Sequence, residues 1–231
     1  MTISKQDMKQ LMYVFSHDLR NPLVNMRALI QDTRMSLAET AHDIEAVQQV
    51  MQDELPDNLT MMEEVVSRMN TLIAGANDIY HCMFDDVVCE DVDVEALVRQ
   101  SIARRADDIQ LAHIHMEVEG LGHIWADPLA LRKIIMEILD NAIRHSKKEG
   151  IISWRLEKRD SLNVLVVSDQ GVGIHASDLA HIFQPFFTTE HKASGMGLAV
   201  VKALLQAHDG KVWCESVVGE GSTFYIGLPD K

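Results

Sequence analysis

The chain has 231 residues, 47% hydrophobic but only 5% aromatic, with 13 methionines; an aliphatic, Met-rich core of this kind suits helix-on-helix packing. With 35 acidic against 21 basic residues the formal charge is -14, which repels phosphate backbones and anionic lipid and argues against binding to nucleic acid or a membrane surface. Cys82, Cys89 and Cys214 fall at no metal-ligand spacing and read as reduced thiols of a cytoplasmic protein. No apolar run approaches the ~20 residues of a membrane span, and MTISKQDMKQ lacks a signal peptide's apolar stretch. Any sensor or membrane segment of the system is therefore expected outside this chain.

From Met8 to Ile30, and again from Leu59 to Ile79, apolar residues recur at helical spacing, one stripe per segment. Between them DELPDN reads as a stop and restart, with Pro56 at a turn and Asp57 or Asn58 as the new N-cap. The pattern predicts a helical hairpin with arms of about 45 and 28 residues. Two helices make a thin core, and the cheapest partner is a second copy, closing a two-fold, four-helix bundle.

The chain divides near residues 85–92, and from residue 92 the pattern turns to mixed strand and helix. VDVEALVRQSIARRADDI predicts a short strand and a helix, and HIHMEVEG alternates like a strand. DPLALRKIIMEILDNAIRHS predicts a helix with Asp127 as N-cap and Pro128 at its first position. IISWRLEKRD and LNVLVVSDQ predict two strands around a turn. LAVVKALLQAHDG predicts a helix ended by Gly210, and KVWCESVVGEGSTFYIGLP a closing hairpin. The layout is α+β, with helices over one face of a mostly antiparallel sheet.

Three segments carry chemistry. Asp169-Gln170-Gly171-Val172-Gly173 follows an apolar strand; the glycines let a ligand approach the backbone, and the carboxylate can accept a hydrogen bond from an amine such as that of adenine. Ser194-Gly195-Met196-Gly197-Leu198 opens a helix, where free N–H groups and the positive dipole end suit phosphate. Glu137, Asn141 and Arg144, with His145 beside them, share a helix face: Asn141 offers an oxygen to Mg²⁺ and Arg144 a fork for phosphate. Taken singly, a bare turn, a plain helix entry and a solvated helix face explain them equally well.

The order of EILDNAIRHS, SDQGVGI, IFQPFFTT, GMGLAVVKALLQAHDG and GEGSTFYIGLP resembles the ATP-binding domain of sensor histidine kinases, related to gyrase-type and chaperone-type ATPases. The resemblance implies that Asn141 holds Mg²⁺, that Asp169 reads adenine, and that Gly171, Gly173, Gly195, Gly197 and Leu198 shape the pocket. It also implies Thr223 as a hydroxyl near adenine and Phe183, Phe186 and Phe187 as a hydrophobic motif beside a short ATP lid, TTEHKAS. Lys192 in that lid is either a phosphate contact or a solvated lysine. Many relatives carry Asn where this chain has Glu137, which leaves Glu137 as a Mg²⁺ ligand, direct or through water, or as a base.

FSHDLRNPL resembles the family's phosphoacceptor motif, with His17 as the phosphorylated residue. Asp18 would orient the imidazole or accept its other proton. Asn21 would position water for dephosphorylating a response regulator. The implied fold is a helical hairpin (1–88) forming a dimeric four-helix bundle, followed by a two-layer α/β sandwich (89–231) of the histidine kinase/gyrase ATPase type. The expected function is a sensor kinase core that uses ATP and Mg²⁺, acts as a homodimer and passes phosphate to a receiver domain. The alternatives are a GHKL-type ATPase and a non-catalytic receiver-binding scaffold; FSHDLRNPL argues against the first, and the intact Asn141, Asp169 and glycine turns against the second.

Overall fold

The computed structural model describes residues 5–84, 87–190 and 193–230; the side chains of residues 5–18, 79 and 81–84 lie outside that description. Two compact units divide the chain, Thr2–Asn77 with Thr188–Ser194, and Asp78–Phe187 with Gly195–Lys231.

The first unit is helical. Helix α1 (Lys5–Thr40) continues past Pro22, whose missing N–H leaves the carbonyl of residue 18 without its helical donor. The chain then reverses at residues 41–43. Asp43, in an extended conformation, caps α2 (Ile44–Gln49) by accepting from Glu45 N at 3.0 Å and Ala46 N at 3.3 Å. A π-helical turn, Val50–Glu54, leads without interruption into α3 (Leu55–Phe84).

The expected break at DELPDN is therefore corrected. Pro56 cannot donate to the ladder, but the π turn widens it so that Leu55 N bonds Val50 O, five residues back. The proline is absorbed, and the reversal falls on the Asp43 cap instead. The first arm is consequently 36 residues rather than about 45. Asn58 Nδ2 donates to Thr33 Oγ1 at 3.0 Å between the arms. Val50 and Leu72 are buried, whereas Leu23, Val24, Ile30 and Met35 of α1 and Leu59, Met61, Val66 and Ile73 of α3 remain 44–59% exposed.

In the second unit, β1 (Glu90–Asp93) pairs with β3 (His123–Ala126) as a small antiparallel sheet. Strand β3 was not anticipated; at four residues it is too short for alternation to declare itself. The main sheet has the order β2-β4-β5-β7-β6, from β2 (His115–Glu119), β4 (Ile151–Arg159), β5 (Leu162–Asp169), β7 (Gly221–Pro229) and β6 (Lys211–Val217). Among the described strands only β2–β4 is parallel.

One face of the sheet carries α4 (Val94–Arg104), α6 (Pro128–His145) and α7 (Gly197–Ala207), with the short helix α5 (Ala106–Leu111) after α4. Ile152, Trp154, Leu165, Val167 and Phe224 bury against Ile134, Ile138, Leu139 and Val201. Among the described residues no helix joins the small cluster of Val164, Val166 and Tyr225 on the other face. There Tyr225 stacks on Trp213 with centroids 5.0 Å apart, and the Arg159 guanidinium lies 4.7 Å over the Tyr225 ring.

Helix α6 starts as expected: Asp127 Oδ1 accepts from Leu129 N at 2.9 Å and Ala130 N at 3.0 Å, with Pro128 in the first turn. Helix α7 ends at Ala207, and Asp209 rather than Gly210 takes the left-handed step, at φ 54°. Gly210 N then closes the end on Leu205 O at 2.8 Å. No helix among the described residues is long and apolar enough to cross a membrane.

Candidate functional site

Strand β5 ends at Asp169, and register sets Asp169 opposite Ser222 and Ser168 opposite Thr223. Asp169 is only 8% exposed. Its Oδ1 accepts from Gly171 N at 2.8 Å and from Ser222 N at 3.3 Å. Both bonds fall on one oxygen, so Oδ2 keeps its accepting capacity for a ligand. Burial pushes the carboxyl above its usual range, against the opposing pull of the Gly171 and Ser222 amides and of His145.

The turn after Asp169 wraps against the end of α6. Val172 N donates to His145 O at 3.1 Å. A Cβ on Gly171 would sit 2.3 Å from that carbonyl, so only glycine allows this approach. Gly173 adopts φ 71°, and a Cβ there would lie 2.2 Å from Val217 O. It is the backbone of His145 that meets the turn.

On α6, Glu137 and Asn141 lie one turn apart, both half-buried, with Arg144 exposed a turn further on. Lys133 Nζ lies 2.9 Å from Glu137 Oε1 and 3.0 Å from Asp78 Oδ2. Glu137 also faces the start of α7: a Cβ on Gly197 would come within 2.5 Å of its Oε2. Asp140, on the neighbouring face, is held bidentately by Arg105 at 2.6 and 2.8 Å. No sequence signal pointed to that pair, whose members are 35 residues apart.

Among the described residues no side chain caps the first turn of α7, and amides at such a helix start suit an anion. Gly195, at φ 67°, accepts from Phe186 N at 2.9 Å. Leu198 packs on the core, as do Phe183 and Phe187, with Phe183 edge-on to Phe224 at 6.4 Å. In the segment expected as a lid, Thr188 Oγ1 both accepts from Glu190 N (3.0 Å) and donates to Glu190 O (3.1 Å). Lys192 lies outside the described residues, as do the side chains of His17 and Asp18 within α1. Asn21 is exposed on α1, one turn after His17.

Thr223 is not brought to Asp169. Its Oγ1 lies 3.0 Å from Ser168 Oγ, and strand alternation turns both to the face opposite Asp169. The hydroxyl beside the carboxylate belongs to Ser222, 7% exposed. Ser222 is the direct cross-strand partner of Asp169, a pairing that only the register reveals.

Residues 126–231 match the family described as histidine kinase-, DNA gyrase B-, and HSP90-like ATPase. The chain is 30% identical to the structure of the mycobacterial sensor histidine kinase MprB, covering 62% of this chain and 97% of that one with a TM-score of 0.55. The chain belongs to the sensor histidine kinases. As a sensor histidine kinase it carries the family's ATPase-type domain, which implies ATP binding. It is also 29% identical to phytochrome-like protein Cph1 of Synechocystis sp. over 235 residues, 98% of this chain but 30% of that protein. The fold of the kinase ThkA, solved in complex with the response regulator TrrA, matches with a TM-score of 0.71 over 96% of this chain and 61% of that one, at 19% identity. The chain spans less than half the length of the curated relatives it first matches.

Proposed function

We propose that this chain is the autokinase core of a two-component sensor, phosphorylating His17 with ATP and passing the phosphoryl group to an aspartate of a response regulator. The observation that carries it is Asp169, a buried carboxylate with one oxygen saturated by backbone amides and the other left to read an adenine amine. Residues 1–88 would serve as the dimerisation and phosphotransfer hairpin and 89–231 as the catalytic domain. The exposed apolar side chains on both hairpin arms support a homodimer. The ThkA–TrrA complex supports a receiver domain as partner.

In this reading Asp169 Oδ2 accepts from the adenine 6-amino group, and the first amides of α7 donate to phosphate oxygens. Arg144 and Lys192 add positive charge, with His145 and Leu198 at the pocket margin. Asn141 and Glu137 offer a neutral oxygen and a carboxylate on one helix face, a donor set that fits Mg²⁺ sharing its other positions with water and phosphate. When bound, Mg²⁺ offsets charge on the transferring phosphoryl group. Glu137 enters that set with Oε1 engaged by Lys133.

His17 attacks in line as the neutral imidazole: a nitrogen–phosphorus bond forms, the bond to the bridging oxygen breaks, and ADP leaves. Asp18 orients the ring or takes its second proton. Asn21 positions the water that later hydrolyses the regulator's acyl phosphate, so phosphatase activity accompanies the kinase. Incubation with γ-labelled ATP is expected to label the wild type and to leave His17→Ala unlabelled. Label surviving in that variant would overturn the proposal.

A further inference from the structure

Ser216 lies on β6, half-buried and directly opposite Ser222 of β7. Its hydroxyl donates to Gly221 O at 2.8 Å, accepts from Ile174 N at 2.8 Å, and lies 3.0 Å from Ser222 Oγ. A hydroxyl has one proton and two lone pairs. With the proton on Gly221 O, Ser222 must be the donor to Ser216, and the three bonds use the group completely.

All three partners lie beside Asp169 or in the segments that flank it. Ser222 N donates to Asp169 Oδ1, and a Cβ on Gly221 would fall 2.0 Å from Asp169 O. Ile174 closes the turn whose Gly171 N donates to the same Oδ1. Ser216 thus ties together the two segments that supply the carboxylate's two amides. Its neighbours on the same face of β6, Val212 and Cys214, pack on the apolar core. A hydroxyl in that row is costly to bury unless its bonds are made.

We propose that Ser216 is a positioning residue for adenine recognition: it clamps the glycine turn to the start of β7, keeping Asp169 Oδ1 saturated and Oδ2 aimed at the 6-amino group. The proposal rests on the assignment of Asp169 as the adenine reader. It is tested by displacing a fluorescent nucleotide from the whole chain with ADP and with IDP, whose base lacks the 6-amino group. In Ser216→Ala, ADP affinity is expected to fall about tenfold with little change for IDP, so discrimination collapses. Ser216→Thr, which keeps the hydroxyl, is expected to restore it. Unchanged discrimination in Ser216→Ala, or an equal loss for both nucleotides, overturns the proposal. Should Ser216→Ala not fold, Ser216→Cys gives the same readout with a much weaker hydrogen-bonding group. Asp169→Ala separates the two claims: if it discriminates ADP from IDP as the wild type does, the adenine assignment itself fails.

Discussion

Replacing Asp169 by Asn preserves the shape of the side chain and one accepting oxygen. The amide oxygen can still take the Gly171 N–H at 2.8 Å and the Ser222 N–H at 3.3 Å. The second position changes from acceptor to NH₂ donor and would meet the adenine amine donor to donor. A hydrogen bond to a charged group contributes about 1.5–3 kcal/mol, so ADP affinity is expected to drop about 10- to 100-fold by isothermal titration. Stability is expected to move the other way. Burial raises the Asp169 pKa over the opposing amides and His145, so the folded chain holds this proton more tightly than the unfolded chain. The group's stabilisation is then complete below its unfolded pKa and is lost as pH rises through the folded value. Burial penalises the anionic form of this carboxyl, and Asn removes that penalty. Calorimetry without nucleotide is expected to show a higher Tm for Asp169→Asn at pH 7, with the gap closing toward about pH 4. Wild-type ADP affinity would refute the contact, and a lower Tm at pH 7 would refute the electrostatic reasoning.

Three further outcomes are expected. Gly173→Ala forces a left-handed φ of 71° on a residue with a Cβ and brings it to 2.2 Å from Val217 O; a loss exceeding about 1–2 kcal/mol in urea unfolding is expected, together with weaker nucleotide binding. Asp43→Ala removes the cap that accepts two amides at the reversal and is expected to cost ~1 kcal/mol, read as a shift in the urea midpoint of the helical signal; no shift would mean that the α1–α2 contacts alone set the turn. Asn141→Ala is expected to weaken Mg²⁺-dependent binding of a non-hydrolysable ATP analogue by calorimetry while leaving metal-free binding nearly unchanged, and equal Mg²⁺ dependence in both proteins would remove its assigned role.

Where a feature depends on neighbours in the chain, reading the residues in order found it. The Asp127–Pro128 start of α6 is a local capping geometry. The Asp169 turn declares itself because a strand must end before two glycines that permit close approach. The hairpin reversal failed this test. Ala41-His42-Asp43 contains neither Pro nor Gly, whereas Pro56 is a strong local breaker whose effect a π turn cancels. The placement of Thr223 was not legible for another reason: adjacent hydroxyls on a strand face opposite sides, and only the pairing of β5 with β7 decides which one joins Asp169.

The sequence by itself determined the chemistry available: a histidine with its acidic and amide neighbours in one helix, a carboxylate before two glycines, an asparagine on an amphipathic helix, and through their order the kinase family. Those are properties of short segments, where helical period, capping and steric freedom act over a few residues. The tertiary structure alone decided how that chemistry is oriented. It chose Ser222 over Thr223, brought the Ser222 amide to Asp169, set Lys133 against Asp78, and joined Ile174 N to Ser216. Strand register governs the choice of hydroxyl, and helix docking sets the α7 entry against Glu137. These are pairings between residues far apart in the chain, and no local pattern encodes them.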